Sequence, residues 1–195
     1  ANMSNTEYRY IFSEENRGYV TTQYYGVAAA EDGTVMGGTQ DNGTQLINGS
    51  GNTPKSAVRV FGGDGFQAEI SRNDPSVIFA ESQYGALGRS TNGGISFAPI
   101  WDSRIGDKDG EITISAATPL GPFDCQFRLW DHPTDSSKSK FIFAPYNEIW
   151  LAKNPVDEIN TPIWFVISTA HGRTRVTSID IAENGETVFY STSTG

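Results

Sequence analysis

The chain has 195 residues, a formal charge of −9, 21 glycines, 37% hydrophobic residues and 12% aromatic residues. So acidic a surface repels phosphate backbones and argues against a nucleic-acid partner. No apolar run approaches the ~20 residues that a membrane-spanning helix needs, and the glycine- and aromatic-rich mixture suits many short strands joined by tight turns.

The first predicted strand covers 25–29, and a turn at Asp32 and Gly33 leads into a second strand over 34–39. Asp, Asn, Gly and Pro build turns for different reasons: side-chain acceptance of backbone N–H groups, positive φ, and fixed φ. The same unit recurs three more times along the chain. Strands over 66–71 and 77–82 flank Asn73, Asp74 and Pro75. Strands over 127–130 and 141–146 flank Pro133, Thr134 and Asp135. Strands over 176–181 and 188–193 flank Asn184 and Gly185. The four units align on Val35, Val77, Phe141 and Val188.

The second unit continues with strands over 86–90 and 95–100, a four-stranded meander of the kind that makes one propeller blade. The first closes with 57–61 and the third with 162–167, while the fourth stops after two strands. Blades repeat at ~40–50 residues, and the longer middle interval implies an insertion. The expected fold is therefore all-β, a β-propeller fragment of about three and a half four-stranded blades. Their approximate limits are 20–61, 62–101, 123–167 and 173–195, with 102–122 as the inserted loop. A closed propeller usually has 4–8 blades, and unpaired edge strands are sticky. The fragment is thus expected to self-associate, to pack with a missing half, or to close as a small irregular propeller.

Ser90, Asn92, Gly94 and Phe97 resemble the Asp-box pattern Ser-x-Asp-x-Gly-x-x-Trp, with Asn for Asp and Phe for Trp. The wider stretches 62–66, 73–80 and 88–94, and also 37–43, look like the repeat of bacterial BNR proteins, sortilin-type propellers and xyloglucanase-type glycosidases. The resemblance implies a structural turn between the third and fourth strands of the second blade. There Asn92 accepts backbone N–H bonds, Gly94 takes the left-handed conformation and the aromatic packs between sheets. It specifies a repeat superfamily and not one activity.

In such folds the loops between second and third strands, and those joining one blade to the next, open on the face that takes ligands. That reasoning gathers Gln40, Asp41, Asn42, Asp64, Gln83, Tyr84, Tyr146, Asn147 and Glu148 on one face; the same residues also suit plain turn chemistry. Asp41 and Asp64 could supply the paired carboxyls of a glycosidase. The resemblance to xyloglucanase-type enzymes, however, places a catalytic Asp where Gln83 stands, and Gln cannot act as a base. The Arg-Ile-Pro motif of sialidases has only a partial echo in Arg104 and Ile105, followed by Gly106.

Asp102, Asp107, Asp109 and Glu111 could be read as calcium ligands, but Ile105 occupies a ligand position of the EF-hand pattern, and a solvated acidic loop is the simpler reading; no metal or other cofactor is expected. Tyr24, Tyr25, Trp101, Trp130, Trp150 and Trp164 could stack on sugars if exposed or fill the space between sheets if buried. Asn42 and Asn48 fit glycosylation sequons. Cys125 is the single cysteine, so no internal disulfide can form, and a buried small side chain is expected. The expectation for function is a non-catalytic propeller module, secreted, periplasmic or on the cell surface, that binds a glycan or protein on its loop face. The alternative is a fragment of a glycoside hydrolase with carboxylates partly outside the chain.

Overall fold

The computed structural model describes residues 22–49, 56–100, 122–145, 148–160, 162–169 and 175–193. Three four-stranded antiparallel sheets follow one another along the chain. The first holds β1 (Gly26–Ala29), β2 (Val35–Thr39), β3 (Gly43–Ile47) and β4 (Val58–Phe61). The second holds β5 (Ala68–Ile70), β6 (Ile78–Ser82), β7 (Ala86–Ser90) and β8 (Ala98–Pro99). The third holds β9 (Gln126–Trp130), β10 (Lys140–Ala144), β11 (Glu148–Lys153) and β12 (Ile163–Thr169). A two-stranded sheet of β13 (Val176–Ile181) and β14 (Val188–Thr192) ends the described chain. In every sheet the strands are ordered as in the sequence, so each is a simple meander.

One device makes the first hairpin of all four sheets. Asp32 Oδ1 accepts the N–H of Thr34 at 2.8 Å, and Asp74 Oδ1 that of Ser76 at 2.9 Å. Asp135 Oδ1 accepts the N–H of Ser137 at 3.2 Å, and Asn184 Oδ1 that of Glu186 at 3.0 Å. Each is an Asx turn, in which a short polar side chain takes over a backbone donor two residues on. The hairpins share one register: Ala29 faces Val35, Ile70 faces Ile78, Leu129 faces Phe141 and Ile181 faces Val188. Ile78, rather than Val77, is therefore the equivalent of Val35, Phe141 and Val188. The difference of one residue matters because it exchanges the two faces of the strand.

Successive sheets pack face to face through apolar clusters. Met36, Ala68, Ile70 and Ile78 join the first sheet to the second. Phe79, Leu87, Phe127, Phe141, Phe143, Trp150 and Trp164 join the second to the third, with ring centroids 4.6 Å apart for Phe79 and Phe141 and 5.1 Å for Phe127 and Phe141. Ile142, Ile149, Val176 and Ile179 join the third to the last. The strands β1, β5, β9 and β13 lie against one another in that order. The first strand of each sheet is thus the innermost, and the sheets fan outward from a common line. Equivalent positions on three inner strands carry Glu69, Arg128 and Asp180. Arg128 bonds Glu69 at 2.9 Å and lies 3.8 Å from Asp180, crossing from strand to strand.

The turn at 90–97 connects β7 to β8. Ser90 Oγ accepts the N–H groups of Asn92 and Gly94, and Asn92 Oδ1 accepts that of Ser96 at 3.0 Å. Gly94 has φ +87°, a backbone that a side chain would strain. Phe97 reaches the first sheet, its ring 5.0 Å from that of Phe61. Because the turn uses Ser96, β8 spans only Ala98–Pro99, shorter than the predicted strand over 95–100. Trp150 and Trp164 are buried between sheets, Trp130 is half-buried, and Tyr24 and Tyr25 are exposed. Trp101 and the acidic stretch over 102–111 lie outside the described residues.

Candidate functional site

The loops between β2 and β3, β4 and β5, and β6 and β7 meet the 122–125 segment that leads into β9 at one end of the sheets. Thr39 closes β2, and its carbonyl accepts the N–H of Gly65 at 2.9 Å, drawing the 62–65 loop against the 40–42 turn. Gly38 permits that approach, since a methyl group there would stand 2.1 Å from the Phe66 carbonyl oxygen. Asp41 has φ 66° and Tyr84 has φ 64°, left-handed conformations uncommon for residues other than glycine.

Side chains and backbone then form a closed circuit around buried Phe66. Tyr25 Oη donates to Gln40 Oε1 at 2.7 Å. Beside Gln40, the Asp41 N–H donates to Asp64 Oδ1 at 2.7 Å. The Asp64 N–H donates to Gln83 Oε1 at 2.9 Å, and the Ser82 hydroxyl donates to that same oxygen at 2.6 Å. Next to Gln83, the Tyr84 N–H donates to the Phe123 carbonyl at 3.2 Å, with ring centroids 5.6 Å apart. Phe123 meets Phe66 edge-on at 5.0 Å, and Phe66 meets Tyr25 at 5.1 Å. A hollow of about 350 Å³ opens beside this circuit, lined by Thr22, Gln23, Tyr25, Thr39, Gln40, Asp41 and Asn42.

Of the residues singled out in the sequence, Gln40, Asp41, Asp64, Gln83 and Tyr84 lie on the circuit. Asn42 stays in its own turn, with Nδ2 bonded to the Gln40 carbonyl. Glu148 stands at the start of β11, where its Oε2 accepts Trp150 Nε1–H at 3.3 Å. Tyr146 and Asn147 lie outside the described residues. Phe66 and Phe123 do not stand out in the sequence, and their meeting joins residues far apart in the chain.

Beneath the loops, Glu81 is fully buried. Its Oε1 accepts the Cys125 N–H at 2.7 Å, while Oε2 has no hydrogen-bond partner among the described residues. Burial pushes its carboxyl up to about 8, the bonds from Cys125 opposing only part of the rise. Burial and the adjoining Glu81 also push the Cys125 thiol far up, so it stays protonated and is no nucleophile. The signal for Glu81 was its alternation with Phe79, which turns both side chains to the same buried face.

A larger hollow of about 630 Å³ lies at the opposite end of the third sheet, beside Trp130, His132, Lys140, Lys153 and Phe165. It borders the part of the third sheet that the two strands β13 and β14 leave uncovered. His132 belongs to that end, where its Nδ1 accepts the Asp135 N–H at 3.1 Å, away from Cys125.

No protein-family model and no curated protein sequence matches the chain. Its structure resembles that of the GH74 enzyme of Niastella koreensis, with a TM-score of 0.54 and 10% identity over 88% of this chain and 26% of the enzyme. It is also similar to YCF48 from Cyanidioschyzon merolae, with a TM-score of 0.48 and 13% identity over 87% of this chain and 48% of that one. The second likeness is too weak to bear on the fold. The chain spans about a quarter of the Niastella enzyme's length. With its sequential meanders and inner first strands, the chain is a partial β-propeller.

Proposed function

We propose that this partial propeller is a non-catalytic, extracytoplasmic binding module that takes a glycan or a protein on its loop face. The observation that carries the reading is the closed circuit around Phe66. Four loops from three sheets are tied together there by hydrogen bonds and ring contacts. Such cross-ties hold polar groups and exposed aromatic rings in place before a ligand arrives, which lowers the ordering cost of binding. Plain turn chemistry accounts for Asn42, whose bonds are local. It does not account for Asp64, which links a turn of the first sheet to the end of β6.

The glycoside hydrolase reading has less support. Gln83 carries no titratable proton, and its amide oxygen is already engaged by the Asp64 N–H and the Ser82 hydroxyl. The fold likeness to a glycoside hydrolase is a likeness of fold alone.

The test is a binding screen with an activity arm. A panel of glycans and immobilised peptides is measured against the wild-type chain and Asp64→Ala, with hydrolysis followed in parallel. Binding that Asp64→Ala weakens by about tenfold, without hydrolysis, supports the module reading. Hydrolysis of a β-glucan or sialoside that Asp41→Asn abolishes would establish the enzyme instead. Cell fractionation of the natural producer tests the compartment.

A further inference from the structure

The loop face has a chemistry of its own beyond being a binding surface. Tyr25, Tyr84 and Phe123 remain 51%, 44% and 40% exposed although each touches another ring of the circuit. Aromatic rings left this open on a soluble surface are unusual when they adjoin one another. Beside them stand two carboxylates. Asp64 uses one oxygen to hold Asp41, and no described residue engages the Asp41 carboxylate.

Among the described residues, cations are few at this end. Arg175 is paired with Asp124. Arg59 lies between Gly43 and Gly62, beside the loops that carry Asp41 and Asp64. Among the described residues the loop end therefore carries Asp41, Asp64, Asp124 and Glu148 against these two arginines. Ring faces attract cations through their quadrupole, and neighbouring carboxylates add Coulomb attraction. The two features select the same ligand charge, and the chain's net charge of −9 steers in the same direction.

We infer that the loop face takes a basic peptide segment, with Lys or Arg side chains lying over Tyr25, Tyr84 and Phe123 and ion-paired to Asp41 and Asp64. This rests on the loop-face reading above and names the partner for it. A neutral sugar could stack on the same rings but gains nothing from the carboxylates beside them. An anionic sugar would be repelled.

The test uses the whole chain and three probes: a labelled decapeptide of alternating Arg and Gly, its Glu-for-Arg counterpart, and cellohexaose. The variants are chosen to keep the backbone. Tyr84→Asn removes the ring at a left-handed position that Asn tolerates well. Asp41→Asn does the same for the charge, and Asp64→Asn keeps the oxygen that accepts the Asp41 N–H. Glu158→Gln, in the β11–β12 connection at the other end, controls for general acidity. Binding of the Arg peptide, about threefold weaker in each loop variant, unchanged in the control and falling as salt rises, is the expected result. Cellohexaose binding lost in Tyr84→Asn, with no Arg-peptide binding, overturns the basic-peptide inference and leaves the loop-face reading standing. Arg-peptide binding equal in all variants overturns it too, because it then reflects net charge alone. Absence of binding by all three probes also refutes the inference, whereas the loop-face reading falls only if the wider panel is silent too.

Discussion

Replacing Glu81 by Gln tests the burial argument at its most exacting point. The carboxyl is fully buried between the second and third sheets, and one oxygen has no hydrogen-bond partner among the described residues. Its value rises from 4.5 in the unfolded chain to about 8 in the folded one. The folded state therefore holds the proton more tightly, and folding takes up a proton between those two values. Stability is fully present below pH 4.5, falls as pH rises toward 8, and is level above that. At about 1.4 kcal/mol per pH unit, roughly 3 kcal/mol is lost by pH 7 and close to 5 kcal/mol by pH 8. Gln keeps the acceptor for the Cys125 N–H and cannot ionise, so Glu81→Gln imitates the neutral acid at every pH. Near pH 4.5 the two proteins should melt together. At pH 7 the variant should melt higher by roughly 6–12 °C, on the scale of about 2–4 °C per kcal/mol for chains of this size. Thermal melts followed by circular dichroism from pH 4.5 to 9 measure the difference directly. Carboxylates other than Glu81 titrate in both proteins and cancel. Parallel curves with a constant offset would refute the reasoning, because they would mean that Glu81 is ionised and stabilised in the folded protein.

Phe141→Ala should cost about 3–5 kcal/mol in a denaturant titration, since its fully buried ring lies among Phe79, Phe127 and Trp164. Phe189→Ala, on an exposed position of β14, should change stability by less than about 0.5 kcal/mol. Asn92→Ala should cost about 1 kcal/mol by the same measurement, because the exposed 90–97 turn loses the acceptor for the Ser96 N–H. Asn92→Asp keeps that acceptor and should stay within about 0.5 kcal/mol of wild type.

The hairpins were legible because their signals are local. Asp32, Asp74, Asp135 and Asn184 each mark a turn by chemistry confined to three residues. The phase of β6 was harder to read: Val77, Ile78 and Phe79 are all apolar, so alternation gives no phase there. Only the pairing of Ile78 with Ile70 fixes which face is which. The strand predicted over 95–100 shrinks because Ser96 serves the turn before it, a competition that strand propensity does not register. At the loop end, the repeat alignment directs attention to Asp41, Asp64 and Gln83. It cannot show that Phe123 meets Tyr84, since that contact joins two sheets across the longest interval between repeats. Glu81 was visible in principle, as the one charged residue on the buried face of β6.

The central claim is that the loop face is the binding surface, and backbone hydrogen exchange with the best-binding probe tests it most directly. Protection on binding should concentrate in 39–42, 62–66, 82–85 and 122–125, with the hairpins at 30–34, 131–139 and 182–187 unchanged. Protection confined to those hairpins, or to the hollow beside Trp130 and Phe165, would contradict the account.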